Sequence, residues 1–235
     1  MASAAGNLKR LTLELGGNDA GIVLPDVDPK EVAAKLFGVT FHNNGQTCAC
    51  LKRLYVHDSI YEPLCQELAR LARAAVVGDG LLAETQLGPV QNAKQMAYVS
   101  ELVEDARARG ARVLSGGRAR PGAGYFYEPT VLADVSDGMR VVDEEQFGPV
   151  LPVIRYSDID EVIHRANDNP NGLGGSIWSK TPAKAAELAL RLECGTAWIN
   201  EHGAIQPDAP FGGVKQSGIG VEFGRYGLEE YTSIQ

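Results

Sequence analysis

Cys48 lies in the run Asn43-Asn44-Gly45-Gln46-Thr47-Cys48-Ala49-Cys50, a glycine-containing bend between an expected helix and an expected strand. A thiol held this way suits nucleophilic chemistry, because partial exposure, local backbone N–H groups and a nearby base raise the thiolate fraction or its reach. Glu14 is the candidate partner, ending an expected strand just before Gly16-Gly17. A carboxylate does little for a distant thiol, but it can activate water once a cysteine thioester has formed. Cysteine plus glutamate therefore points to acyl chemistry with a hydrolytic second step. Both residues are expected at the element tips where α/β proteins place their sites. Each also has a plainer reading: a lone cysteine is usually a small buried hydrophobe, and a strand-end glutamate a solvated charge.

The remaining reactive side chains read as structural. Cys65 falls in an amphipathic helix, Cys194 beside a helix-ending Gly195, and Cys50 on the strand leaving the bend; Cys48-x-Cys50 has neither zinc-site nor thioredoxin-like spacing. The four histidines, His42, His57, His164 and His202, form no metal motif. His42 alone is near Cys48 in sequence, leaving a Cys and His hydrolase as a rival reading. The glycine-rich stretch at 218–224 approximates a dinucleotide loop, but it follows no convincing strand and no βαβ unit completes it. It reads as a turn feeding a short terminal helix.

The positioning elements follow from periodicity. Leu11, Leu13 and Leu15 alternate with polar residues, predicting a strand over 10–15, and Ile22, Val23 and Leu24 predict a second. Asp28-Pro29 supplies an N-cap and first-turn proline for a helix to about His42. A strand over 51–57, helices over 59–76 and 91–109, a strand over 111–114 and an extended segment over 125–132 follow. The last part reads as a strand over 150–156, a helix over 158–167, a strand over 175–178, a helix over 182–192 and a final core strand over 197–200. This alternation argues for an α/β three-layer sandwich, a mainly parallel sheet flanked by helices.

Bulk properties narrow the partners. A chain of 235 residues, 44% hydrophobic and 22% charged, can bury a large core and has no apolar run long enough to span a bilayer. A net charge of −8, with 22 Lys and Arg scattered among 30 Asp and Glu, disfavours nucleic acid. Four cysteines without a disulfide framework fit a reducing compartment, and with no secretory signal the expected location is cytoplasmic.

Four segments together resemble the aldehyde dehydrogenase superfamily: Leu13-Glu14-Leu15-Gly16-Gly17-Asn18, Asn44-Gly45-Gln46-Thr47-Cys48, Glu144-Glu145-Gln146-Phe147-Gly148-Pro149-Val150, and Pro210-Phe211-Gly212-Gly213-Val214-Lys215-Gln216-Ser217-Gly218. Asn169-Pro170-Asn171-Gly172-Leu173-Gly174 and Trp198-Ile199-Asn200 extend the match over nearly the whole chain. The resemblance implies that Cys48 attacks a small-molecule aldehyde, that a hydride passes to NAD or NADP, and that Glu14 activates the water releasing a carboxylic acid. It implies that the Cys48 backbone N–H forms half of an oxyanion hole. Leu15 contacts the carboxamide, Glu145 the nicotinamide ribose and Phe147 the nicotinamide end; Phe211 lines the substrate side and Asn200 supports the catalytic loop. Residues 201–209 border the substrate entrance.

Members of that superfamily are roughly twice this length, as two ordinary domains would be. The resemblance thus divides the chain into 1–16, the end of a cofactor domain carrying the base; 17–218, the catalytic domain; and 219–235, a segment packing back towards the cofactor domain. It also implies that this chain alone binds the dinucleotide weakly and does not turn over as a dehydrogenase, whereas the complete enzyme is a homo-oligomer. Asn18 departs from the lysine frequent after the two glycines. Two other readings stand beside this one: a truncated non-catalytic fragment or interaction module, and a cofactor-free, thioester-forming esterase.

Overall fold

Apolar residues alternate along the strands so that successive side chains feed two cores on opposite faces of one sheet. The computed structural model describes residues 1–235. Its strands are β1 (Leu13–Glu14), β2 (Asp19–Val23), β3 (Leu51–His57), β4 (Arg112–Ser115), β5 (Thr130–Val135), β6 (Val150–Tyr156), β7 (Asn171–Gly172), β8 (Gly174–Trp178), β9 (Thr196–Ile199), β10 (Val214–Lys215) and β11 (Gly218–Ile219). Its helices are α1 (Ala2–Ala5), α2 (Pro29–Phe41), α3 (Tyr61–Ala74), α4 (Ala93–Ala108), α5 (Arg140–Asp143), α6 (Ile159–Asn167), α7 (Pro182–Ala189) and α8 (Gly224–Glu230).

Seven strands form the main sheet in the order β4-β5-β6-β3-β2-β8-β9. Every neighbouring pair is parallel except β4 with β5. Ile22, Tyr55, Leu132, Ile154 and Ile177 face one core, which α4, α6 and α7 close with Leu102, Val162 and Leu188. Val23, Leu54, Val131, Val153 and Trp178 face the other, closed by α2 and α3 through Leu36, Leu64 and Leu68. Fully burying one such aliphatic side chain stabilises by about 1.5–3 kcal/mol. This is the expected three-layer α/β sandwich.

Helix starts follow local chemistry. The Asp28 carboxylate accepts from the Lys30 N–H at 2.8 Å and Pro29 opens α2; Asp158 accepts from the N–H groups of Asp160 and Glu161 at the start of α6. Two small antiparallel ribbons flank the sheet at the amino-terminal ends of its parallel strands. In one, β1 pairs with β11 (Leu13 opposite Ile219, Glu14 opposite Gly218), and in the other β7 pairs with β10 (Gly172 opposite Val214).

Several expected boundaries move. The strand over 10–15 shrinks to Leu13–Glu14 and joins β11 instead of the main sheet. The extended segment over 125–132 becomes a strand only from Thr130, and the helix over 182–192 ends at Ala189. The final core strand is instead an edge strand in which only Trp198 is buried, because β9 has a neighbour on one side alone. The glycine-rich stretch at 218–224 is the ribbon strand β11 and the turn into α8, with no phosphate loop after a sheet strand.

Candidate active site

The Cys48 bend reverses the chain through three consecutive left-handed residues, Asn43 (φ 48°), Asn44 (φ 58°) and Gly45 (φ 72°). Asparagine tolerates this conformation better than most residues. Gly45 is required for a second reason, since a Cβ there would overlap the Gly148 carbonyl oxygen. The Gln46 side chain ties the bend outward, donating to Pro89 O at 3.1 Å and accepting from the Gln91 N–H at 2.7 Å. Beneath it, the fully buried Lys52 ammonium donates to Gly45 O at 2.6 Å and Gly148 O at 3.1 Å. Cys48 comes out half-buried at the tip, and its backbone N–H donates to no carbonyl or side chain.

Glu14 arrives on a separate arm. Leu15 N–H donates to Ser217 O at 3.0 Å; the buried Ser217 hydroxyl donates to Gly16 O at 2.7 Å and accepts from the Gly172 N–H at 2.9 Å. A Cβ on Gly17 would lie 2.5 Å from the Cys48 carbonyl oxygen, so only glycine lets the arm close on the bend. Asn18 then donates to Val142 O at 2.8 Å, and its own carbonyl accepts from Arg53 Nε at 2.7 Å. Glu145 Oε1 accepts from the Gly17 N–H at 3.0 Å. Glu14, Cys48 and Glu145 are thus gathered around the Gly16-Gly17 turn.

The electrostatics run against an activated resting thiol. Burial pushes the Cys48 thiol above its usual range, and the Glu14 and Asp19 carboxylates add to the rise against opposing N–H groups of Ala49 and Cys48 itself. The expected gain in thiolate is therefore not met by this chain. Burial, reinforced by Glu222, likewise raises the Glu14 carboxyl, whose Oε1 is buried with no hydrogen-bond partner. Glu145 is also raised by burial, opposed by the Gly17 N–H and by Lys52. A half-buried, raised carboxyl with one unpartnered oxygen, near enough to a thiol to raise it, is a pattern that active sites favour over structural ones.

The other expected residues fall into three groups. Leu15 is half exposed with a carbonyl that accepts no hydrogen bond, and Phe147 holds a left-handed backbone (φ 45°) whose carbonyl accepts from the Gln95 amide at 3.2 Å. Phe211 is buried with Ala49, Leu173 and Trp198 in an apolar cluster against which Cys48 packs. Trp198 and Phe211 also line a groove with Ile199, Ala204, Ile205 and Pro210, inside or bordering the expected entrance segment. Asn200 stands apart. Its amide pairs with the backbone of Ser179, at 2.9 Å in both directions, and does not reach the Cys48 bend. Any support it gives is indirect: its left-handed turn (φ 54°) sends the chain back so that His202 packs on Trp198, and Gly203 comes to the Ala49 carbonyl.

The site also lies at the amino-terminal ends of the parallel strands, because Cys48 precedes β3 and Glu14 belongs to a flanking ribbon. Both residues do lie at element tips, but the flanking arms and not the carboxyl ends of the sheet strands present the groups. The rival reading loses its base: the His42 ring is exposed and makes no hydrogen bond, and only its backbone carbonyl is used, by Cys50 Sγ at 3.6 Å. Cys65 lies in the core and Cys194 is bonded to Thr196 O at 3.3 Å; all four thiols are free, and no group of His, Cys, Asp or Glu could hold a metal. Sequence reasoning passed over Lys52, Asp19, Ser217 and His202. His202 places Nδ1 2.9 Å from Ser176 Oγ and Nε2 3.4 Å from Asp19 Oδ2, all buried. The signal for Lys52 was charge inside an apolar stretch, Cys50-Leu51-Lys52-Arg53-Leu54, and Ser217 lay within the motif over 210–218.

The family model for "Aldehyde dehydrogenase family" matches residues 1–235. The chain belongs to the aldehyde dehydrogenase family. It is 42% identical over 240 residues to a betaine aldehyde dehydrogenase of Bacillus subtilis, covering 100% of this chain and 49% of that protein. It is 41% identical to retinaldehyde dehydrogenase 3 of Mus musculus, covering 100% of this chain and 46% of that one. A solved structure of an aldehyde dehydrogenase from Bacillus cereus in complex with NAD+ superposes with TM-score 0.95 at 39% identity, covering 99% of this chain and 48% of that chain. The chain therefore spans about half the length of the aldehyde dehydrogenases it matches. No helix is long and apolar enough to cross a membrane.

Proposed function

We propose that this chain carries the catalytic half of an NAD(P)-dependent aldehyde dehydrogenase, with Cys48 as nucleophile and Glu14 as general base. The observation that carries the reading is the Glu14 carboxyl, raised, with one oxygen buried and unpartnered, and close enough to Cys48 to push up its thiol. The Cys48 thiol loses its proton to solvent and the thiolate adds to the carbonyl carbon; the new oxyanion takes the uncommitted Cys48 N–H, a donor of a kind worth about 3 kcal/mol in other acyl-transfer enzymes. Loss of hydride leaves a thioester on Cys48. Glu14 takes a proton from water, whose oxygen attacks the thioester, and the acid departs as the thiolate re-forms. Trp198 and Phe211 offer the aldehyde's apolar part a wall continuous with the cluster around Cys48.

The residues present fit the nicotinamide end of the cofactor. The Leu15 carbonyl has no partner, Glu145 Oε2 accepts nothing from the protein, and the carboxylates of Glu14, Asp19 and Glu145 favour a positively charged guest. Leu15, Glu145 and Phe147 would hold this end; when bound, the oxidised nicotinamide supplies the hydride acceptor. A solved Escherichia coli structure described as an NADP-dependent enzyme matches with TM-score 0.94 at 38% identity, so both dinucleotides occur among the neighbours.

The test is aldehyde-dependent reduction of NAD or NADP, followed by nicotinamide absorbance, in a polypeptide that joins this chain to a family nucleotide-binding half. Turnover that disappears in Cys48→Ser is expected; turnover that survives the substitution refutes the assignment. Titration of the chain alone with NAD by calorimetry should show weak binding or none, since Leu15, Glu145 and Phe147 would hold the nicotinamide end alone.

A further inference from the structure

We propose that Lys52 is a positioning residue that locks the nucleophile bend to the turn carrying Glu145 and Phe147, so that the Cys48 N–H and sulfur stay aligned for acyl transfer. The inference rests on the reading of Cys48 as nucleophile and deepens it. Lys52 is fully buried, yet its ammonium is paired with no carboxylate. Its hydrogen bonds go to two carbonyls from different segments, Gly45 O at 2.6 Å and Gly148 O at 3.1 Å. A buried charge with no carboxylate in direct contact is costly, and a neutral side chain of similar volume packs more cheaply; its position between the two loops supplies a reason to keep it.

The surroundings are built around this contact. Gly45 and Gly148 approach so closely that a Cβ on Gly45 would overlap the Gly148 carbonyl and come within 2.8 Å of Lys52 Nζ. On the far side of Gly148, Gln95 donates to the carbonyls of Gln146 at 2.9 Å and Phe147 at 3.2 Å, so the turn is held from both ends. The charged and titratable groups facing Lys52 are Cys50, Glu145 and Asp19. Burial lowers the ammonium to about 8 against these groups. Deprotonation leaves a neutral amine that still donates, without the charge assistance that makes such bonds short and strong.

The diagnostic is a ratio of two rates at Cys48, both read by mass spectrometry of its peptide: acylation by a nitrophenyl ester and alkylation by iodoacetamide. Both depend on the same thiolate, so its titration cancels. Only acylation needs the backbone donor in place. Lys52→Met is expected to lower the ratio fivefold or more, and Lys52→Gln, an uncharged donor, to lower it less. In the unsubstituted protein the ratio should fall between pH 7 and 9, whereas both variants stay flat. A Cys50→Ser version of each protein removes the one neighbouring thiol that titrates at alkaline pH. The unsubstituted protein's profile needs no variant to fold. An unchanged ratio in either substitution together with a flat profile in the unsubstituted protein overturns the clamp alone; absence of any acyl group on Cys48 overturns the nucleophile assignment with it.

Discussion

The bend bearing Cys48 and the arm bearing Glu14 are held in opposite ways. Gln46 reaches outward to Pro89 and Gln91, Lys52 grips the bend from below, and β3 leads directly into the middle of the seven-stranded sheet. The arm has a two-residue strand paired only with β11, and is fixed chiefly by Ser217 and by the close approach of Gly17 to Cys48. The Cys48 bend is preformed by the body of the fold, whereas the Glu14 arm is docked onto it by a few local bonds. Segments with few buried contacts open at lower free energy than the core, so the Glu14 arm is expected to open before the Cys48 bend.

Substitution at Gly45 breaks the comparison from the bend side. Gly45→Ala forces a side chain into a left-handed position and into the Gly148 carbonyl, and should cost about 3 kcal/mol or more in urea unfolding, with both regions lost together. From the arm side, Ser217→Ala removes two hydrogen bonds and leaves the buried Gly172 N–H unpaired, an expected loss of about 1–3 kcal/mol. Hydrogen exchange over 10–17 should speed up while alkylation of Cys48 holds its rate. Equal loosening at 42–50 would show that the two regions are one unit.

Asp28→Ala serves as the control, removing the α2 cap far from either region for about 1 kcal/mol of global stability, with no change in Cys48 chemistry. On the resting thiol, Glu14→Gln gives the smallest expected effect. Cys48 titrates at alkaline pH, where Glu14 is ionised and raises the thiol; deleting that charge lowers the thiol again. Alkylation at pH 8 should therefore rise by about 2–5-fold. A fall would mean that the carboxylate assists the thiol directly.

The sheet was legible because Ile22, Leu54, Val153 and Ile177 sit in short apolar runs, and the helices because Asp28-Pro29 and the periodic leucines of α3 mark them locally. The family motifs over 13–18 and 44–48 pointed to Cys48 and Glu14 as a pair, and the fold brings the two together around the Gly16-Gly17 turn. Periodicity missed what is decided by contacts distant in sequence. That β1 leaves the main sheet depends on its pairing with Gly218–Ile219, and the Lys52 clamp depends on Gly148. The raised Cys48 thiol also escapes a sequence reading, since burial and the approach of Asp19 and Glu14 exist only in the fold. The pairing of the Asn200 amide with Ser179 was likewise beyond the sequence, because a motif gives a position in the chain, not the partner its amide finds.

The central claim is that Cys48 takes the acyl group and Glu14 drives its release. The direct measurement follows the acetyl group left on Cys48 by a nitrophenyl ester, by mass spectrometry over time, in the unsubstituted chain and in Glu14→Gln. The expected result is one acetyl group on Cys48, formed no more slowly in the variant but persisting about 100-fold longer, within the range for losing a general base. An acetyl group on another residue, or equal lifetimes in the two proteins, would contradict the pairing.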